Sequence, residues 1–92
     1  MSHTVREKTK LLARVRRIGG QVEALERALE AEKGCATVLQ QIAAIRGAIS
    51  GLMSEVIEEH VQTHIASPSI RSDSQRAEGA QELIEVVRAY LK

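Results

Sequence analysis

The sequence is poor in the residues that usually build or cross-link a compact core. It contains no tryptophan or phenylalanine, and only one tyrosine, one proline and one cysteine. Any core must therefore be aliphatic, and an internal disulfide is excluded, which suits a reducing cytoplasm. The charged start MSHTVREKTK lacks the apolar region of a signal peptide, and no apolar stretch is long enough to span a membrane. These absences predict a small cytoplasmic protein.

Apolar residues recur with 4-3 spacing along two segments, 5–32 and 36–66, which is the pattern of helices with one packing face. We call these two sets the apolar stripes. They are Leu11, Val15, Ile18, Val22, Leu25 and Leu29 in the first segment, and Val38, Ile42, Ile45, Ile49, Leu52 and Val56 in the second. Lys33-Gly34 fits a helix stop between them, which predicts an antiparallel helical hairpin. Gly19-Gly20 is unfavourable in a helix and predicts an interruption of a straight rod.

The remainder of the chain predicts a linker and a third helix. Pro68 ends the second helix, because a residue that precedes proline is pushed out of helical geometry. Residues 67–76 are polar and predict a linker, and residues 77–91 predict a short helix. Its inward-facing residues would be Ala80, Leu83, Val87 and Tyr90 or Leu91. The prediction is an all-α fold of one domain, residues 1–92, and a chain this short can hardly cover two long apolar stripes, so we expect an oligomer.

Charge is distributed unevenly along the chain. Residues 1–20 carry six basic residues and one acidic residue, a local charge of +5, whereas the remainder carries seven basic and eleven acidic residues, a local −4. Arg6, Lys10, Arg14 and Arg17 follow helical spacing and form one stripe beside the apolar stripe. Such a stripe can neutralise DNA phosphates, although a solvated helix face is the alternative. Arg46 would either pair with a buried carboxylate or project toward DNA.

Four residues can ligate a soft or borderline metal ion: His3, Cys35, His60 and His64. His60 and His64 are spaced i, i+4, so they share one helix face. Along a continuous helix, Cys35 and His60 would lie roughly 37 Å apart, so one chain could not bring them to one ion. An antiparallel dimer could, with its two-fold axis near positions 47–50. The hairpin would also place His3 beside His60 and His64 of its own chain.

Small residues surround that expected axis, including Gly47 and Gly51, and they would let two helix backbones approach closely. The alternative is that they accommodate the first helix of the same chain.

Each ligand candidate also has an ordinary interpretation, since a histidine pair is often solvent-exposed and a free cysteine is often a small apolar group. Three imidazoles with one thiolate suit Ni(II), Co(II) or Zn(II), and the free N-terminal amine could add a ligand.

Several segments resemble one known family. They are VRRIGGQVEALERALE at 15–30, Cys35, LQQIAAIRGAISGLMSEVIEEH at 39–60, His64 and the closing VVRAYLK. They resemble the CsoR/RcnR family of bacterial metal- and formaldehyde-responsive transcriptional repressors. The resemblance implies a three-helix protomer, an antiparallel dimer that forms a four-helix bundle, and a homotetramer made of two dimers. It also implies that the metal-free form binds operator DNA and that metal binding releases it.

The resemblance further suggests which signal is sensed. The set His3, Cys35, His60 and His64 is similar to that of the nickel/cobalt branch, which includes RcnR- and DmeR-like repressors. Copper(I) sensors of the family carry a second cysteine where this chain has His64. The nickel/cobalt repressors also carry carboxylates beside the ligands, where this chain has Gly34 and Thr63, so the number of ligands stays open.

Three alternatives remain at this stage. Formaldehyde sensors of the family crosslink the equivalents of Cys35 and the N-terminal amine, but they carry proline and an acidic residue where this chain has Ser2 and His64. A coiled-coil module without regulatory function would need neither metal nor DNA. An enzyme is not expected, because no nucleophile with a positioned base is evident.

Overall fold

The structure is a computed structural model that describes residues 5–91, with side chains from residue 7 onward. It consists of three α-helices: α1 (Val5–Glu30), α2 (Cys35–His64) and α3 (Asp73–Tyr90). The all-α class and the three helices of unequal length are confirmed. No helix in residues 5–91 is both long and apolar enough to cross a membrane. The predicted interruption at Gly19-Gly20 is wrong, since α1 continues through both glycines.

The turn between α1 and α2 begins earlier than Gly34. Lys33 N–H donates to the Ala28 carbonyl at 2.9 Å and Glu32 N–H donates to the Leu29 carbonyl at 3.1 Å. Glu32 has a φ of 54°, so a non-glycine residue adopts the left-handed conformation that closes this helix end. The predicted stop at Lys33-Gly34 is one residue late, although Lys33 makes one of the closing hydrogen bonds.

The third helix begins four residues before its predicted start at residue 77. The Ser72 hydroxyl accepts a hydrogen bond from Gln75 N–H at 3.1 Å, and Ser72 itself is extended, with φ −140° and ψ 150°. This is a standard N-cap, because a serine oxygen satisfies a backbone donor that has no partner inside the helix. The linker is therefore shorter than the predicted 67–76.

The inward face of α3 was only partly predicted. Ala80 and Leu83 are half-buried, as expected. Val87 and Leu91 are exposed, and Tyr90 is 78% exposed, so the prediction for these three is wrong within the isolated chain. The described residues of the same chain thus cover the apolar end of α3 only in part.

The described chain divides into two compact units, residues 5–53 and 54–91. In the first unit, a Cβ placed on Gly51 would lie 3.0 Å from Nη1 of Arg14. Positions 14 and 51 can be neighbours across so short a turn only if the two helices are antiparallel. The predicted helical hairpin is thus supported. Gly51 accommodates a side chain of α1, which is the second of the two interpretations given above for the small residues. Gly47 has nothing within 4 Å of such a Cβ.

Each apolar stripe is divided between a covered and an uncovered half. Alternate members are half-buried, namely Leu11, Ile18, Leu25, Val38, Ile45 and Leu52. The intervening members are 45–58% exposed, namely Val15, Val22, Leu29, Ile42, Ile49 and Val56. A contiguous exposed apolar surface of this kind usually marks an interface. The hairpin therefore buries one side of each stripe and presents the other.

Arg76 joins the end of α2 to the following loop in the second unit. Its guanidinium donates to the Ile65 carbonyl at 2.6 Å and to the Ile70 carbonyl at 3.3 Å. Both bonds are partly buried, and the first satisfies a carbonyl just beyond the last residue of α2. One side chain of α3 thus holds two points of the segment between α2 and α3, at Ile65 and at Ile70.

We predict that Arg76→Gln lowers the free energy of unfolding by about 1–3 kcal/mol, because two charge-assisted hydrogen bonds to partly buried carbonyls are lost. Denaturant titration followed by circular dichroism would measure the change. Arg71→Gln is the matched control, since the Arg71 side chain is exposed and such surface changes fall within about 0.5 kcal/mol. Equal effects of the two variants would contradict the function assigned to Arg76.

Candidate metal centre

The last turn and a half of α2 brings two imidazoles together. His60 and His64 are both half-buried, and their ring centroids are 4.9 Å apart with an angle of 40° between the ring planes. The two rings are close because the residues are spaced i, i+4 on one helix, as the sequence predicted. The pair is thus confirmed as a pair, whereas its binding of metal stays a prediction.

The separation of the two rings suits a shared ion. Metal–nitrogen bonds of about 2.0–2.1 Å place an imidazole centroid about 3 Å from the ion, so two such rings at roughly tetrahedral angles lie about 5 Å apart. The observed 4.9 Å is of that size. The donor chemistry also fits, since neutral imidazole is a good ligand for Ni(II), Co(II) and Zn(II).

Helix α3 contacts both histidines through one residue, Gly79, which is buried. Nε2 of His60 lies 2.8 Å from the Gly79 carbonyl oxygen and donates to it, because a carbonyl oxygen can only accept. On the other side, a Cβ on Gly79 would lie 3.0 Å from the carbonyl carbon and from Cβ of His64, and closer still to the His64 carbonyl oxygen. The two helices therefore meet backbone to backbone at this point.

A cavity of about 340 Å³ lies beside His64 within the second unit. Its lining includes Thr63, Glu78 and Glu82, so two carboxylates spaced i, i+4 on α3 share this space with one imidazole. No group of three or more His, Cys, Asp or Glu residues in the described part of the chain is close enough to hold a metal ion. Residues 5–91 of one chain therefore provide the histidine pair and not a full ligand set.

The other two ligand candidates are placed as follows. Cys35 is the first residue of α2, its thiol is free and exposed, and it belongs to the first unit, whereas both histidines belong to the second. His3 lies outside the described residues, so its predicted place beside His60 stays a prediction.

The predicted DNA-contacting residues are all exposed: Lys10, Arg14, Arg17 and Arg46. Three of them lie on α1 and Arg46 lies near the middle of α2. The sequence left two environments open for Arg46, an ion pair with a buried carboxylate or a position facing DNA. Its exposure does not fit the first of them. The Arg14 guanidinium reaches across the surface of α2 to Gly51.

The comparison with known proteins identifies the family. A family profile described as metal-sensitive transcriptional repressor matches residues 7–89. The chain belongs to this repressor family. It is accordingly a transcriptional repressor and not an enzyme, as the sequence predicted.

Individual family members are similar along the whole chain. The transcriptional repressor RcnR of Salmonella typhimurium is 49% identical over 92 residues, with both chains fully covered. A Serratia marcescens protein described as an uncharacterized protein in the bioA 5' region is 55% identical, again with full coverage of both. The first of these relatives places the chain among RcnR-like metal-sensitive repressors without deciding which effector it senses.

A solved structure of the family has the same fold. It is a variant of the formaldehyde-responsive regulator FrmR from Salmonella enterica serovar Typhimurium, in which a glutamate is replaced by histidine. It is 51% identical, covers 96% of this chain and 98% of its own, and has a TM-score of 0.86. The three-helix protomer is thereby confirmed for this repressor family member.

Sequence reasoning missed Gly79, Glu78 and Glu82. A lone glycine inside a helical pattern costs stability and often has a packing reason, so Gly79 carried a usable signal. Glu78 and Glu82 carried a weaker one, because i, i+4 carboxylates are common on exposed helix faces. Only the tertiary fold brings them beside His64.

We predict that His60→Ala destabilises the metal-free repressor by about 1 kcal/mol more than His64→Ala does. Both variants lose the contact between the two rings, but only His60→Ala removes the donor to the buried Gly79 carbonyl. Denaturant titration in the presence of a chelator would measure the difference. Equal stabilities of the two variants would show that the His60–Gly79 hydrogen bond contributes nothing in solution.

Proposed function

We propose that this repressor responds to Ni(II) or Co(II): its metal-free form binds operator DNA, and metal binding releases the DNA so that a metal efflux gene is transcribed. The observation that carries the proposal is the pair His60 and His64, whose 4.9 Å ring separation suits one shared ion. The proposed ligand set is His3, Cys35, His60 and His64. Three imidazoles and one thiolate favour borderline divalent ions, so Zn(II) is a further candidate.

The proposed site is shared between two subunits. Of the proposed ligands in the described part of one chain, only His60 and His64 lie together. Cys35 lies at the opposite end of α2 from that pair. In an antiparallel dimer the start of one α2 meets the end of the other, which would bring the partner's thiolate to the histidines. The exposed half of each apolar stripe supplies a surface for such a dimer. We propose that two dimers form a homotetramer, in which the exposed apolar end of α3 is also covered.

Operator binding is assigned to Lys10, Arg14, Arg17 and Arg46. All four are exposed, and α1 carries most of the local positive charge. Contacts from such residues go mainly to phosphates, so the affinity should fall steeply with salt and sequence preference should depend on DNA shape. We place this activity in the cytoplasm, where bacterial operators are found.

The two activities can be coupled through α1. His3 lies two residues before the start of α1, and the same helix carries Lys10, Arg14 and Arg17. A bound ion would tie the start of α1 to the end of α2. An ion can weaken DNA binding only if it prefers a conformation that DNA does not. The proposal therefore requires that the ligated hairpin end holds the basic residues out of register with the phosphates.

Carboxylates could enlarge the coordination sphere. This chain lacks them at Gly34 and Thr63, but Glu78 and Glu82 line the cavity that His64 shares. Oxygen ligands favour six-coordinate Ni(II) or Co(II), whereas a four-coordinate set favours Zn(II). The coordination number would thus distinguish Zn(II) from Ni(II) and Co(II).

A direct test is an operator-binding titration. DNA fragments selected by the metal-free protein would be titrated with it in the presence of Ni(II), Co(II), Zn(II), Cu(I) or formaldehyde. We expect Ni(II) or Co(II) to weaken binding by about 5–150-fold, the usual range of allosteric coupling. His64→Ala should bind DNA normally and lose the response. Release by formaldehyde alone, with every metal inactive, would overturn the proposal.

A second test asks whether the site spans two chains. Cys35→Ala and the double variant His60→Ala, His64→Ala would be co-expressed with different tags, and the mixed dimers purified. Each variant alone should have lost tight Ni(II) binding. The mixed dimer should regain one site, because the intact thiolate and the intact histidines come from different chains. If the mixed dimer binds no more Ni(II) than either parent, the cross-subunit site is wrong.

The alternative function is a formaldehyde response, which the 51% identity to a formaldehyde-responsive regulator variant favours. In that case formaldehyde would join Cys35 to the N-terminal amine. The sulfur and the nitrogen each form a bond to the aldehyde carbon, the thiol and the amine each lose a proton, and the aldehyde oxygen leaves as water. Intact-mass measurement after mild treatment would reveal the net gain of one carbon. A gain that Cys35→Ala abolishes would establish this alternative.

A further inference from the structure

Gly79 is the point at which α3 touches both histidines of the proposed metal centre. It is buried, and it lies in the interior of α3, where glycine costs about 1 kcal/mol of helix stability relative to alanine. An interior glycine therefore needs a packing or functional reason. Its two contacts, with the His64 backbone and with the His60 ring, supply one.

The contact with His64 excludes any side chain at position 79. A Cβ there would meet the His64 carbonyl oxygen, and it would lie 3.0 Å from two carbon atoms of the same residue. The first obstacle is helix backbone, which cannot rotate away as a flexible side chain can. Any larger residue would force α3 away from the end of α2.

The contact with His60 selects one form of its ring. The Gly79 carbonyl has two lone pairs, so it can accept a side-chain donor as well as a helical N–H. It can only accept, so Nε2 of His60 carries the hydrogen in the 2.8 Å bond. A neutral imidazole has one hydrogen, and Nδ1 is left with the lone pair.

We propose that Gly79 is a positioning residue of the metal centre: its carbonyl fixes the His60 tautomer so that Nδ1 is the atom offered to the ion. Its missing side chain lets α3 come close enough to do so. The inference rests on the proposed function and deepens it by naming the ligating atom. A carbonyl bound to the far nitrogen of a ligating histidine orients the ring and raises its basicity, and loss of such a partner typically weakens metal binding 10–100-fold.

The first test uses the wild-type protein and needs no variant. Nitrogen-15 NMR of the histidine rings at mildly alkaline pH would report the metal-free tautomer, and Zn(II) would serve as a diamagnetic probe of the ligating nitrogen. We expect His60 to carry its hydrogen on Nε2 before and after Zn(II) is added, and Nδ1 to change its shift on binding. A metal-free ring that exchanges freely between tautomers would overturn the inference.

The same spectra separate this inference from the proposed function. Zn(II) bound through Nε2 of His60 would overturn the inference and leave a metal centre at His60. Zn(II) that perturbs neither ring nitrogen of His60 would overturn both. Operator release measured on the same sample would report the proposed function independently of the tautomer.

The second test compares two Gly→Ala variants. Gly79→Ala should weaken Zn(II) binding 10–100-fold and let the His60 ring sample both tautomers. Gly20→Ala is the matched control, because Gly20 is also in a helix but is exposed, with nothing within 4 Å of an added Cβ. It should bind Zn(II) as the wild type does. If Gly79→Ala folds, as judged by circular dichroism, and keeps both the tautomer and the affinity, Gly79 has no positioning role.

Discussion

The apolar stripes of α1 and α2 are wider than one chain can cover, and the rest of the molecule follows from this constraint. With no tryptophan or phenylalanine, the chain must obtain its stability from long rows of small aliphatic side chains. The hairpin buries one side of each row and leaves the other exposed. In the proposed dimer, a second copy would cover the exposed half of this surface, because its stripe has the same 4-3 spacing. The proposed metal centre uses the same dimer, since its thiolate and its histidines lie at opposite ends of α2.

Under the proposed function, α2 would combine three tasks. Its exposed apolar residues would serve association, Arg46 would contact DNA, and its last turns carry the imidazole pair. The end of α2 is attached to α3 by the Gly79 contacts and by the Arg76 bonds around the connecting loop. Helix α3 thus shapes the surroundings of both histidines.

Periodicity predicted the three helices and the histidine pair, and the stop at Lys33-Gly34 added the hairpin. Periodicity failed where a single hydrogen bond or backbone conformation determines the residue at which a helix begins or ends. The start of α3 depends on the Ser72 hydroxyl, and the end of α1 depends on Glu32 adopting a left-handed conformation that glycine usually takes. The surroundings of Gly79, Glu78 and Glu82 depend on which side of α3 meets the end of α2. Val87 and Tyr90 were predicted to face inward but are exposed. The pattern marks them as apolar and does not tell whether an apolar residue packs against its own chain or another.

The exposed tyrosine at the end of α3 makes the protein its own optical reporter. Tyr90 is the only aromatic residue apart from the histidines, so all intrinsic ultraviolet fluorescence comes from one known position. That position lies on the helix that contacts both histidines, and its ring is 78% exposed in the isolated chain. Burial of this ring by a neighbouring subunit, or a shift of α3, would change the emission without any attached dye. Assembly and ligand binding could thus be followed in the unlabelled protein, and the absence of other aromatic residues leaves little background.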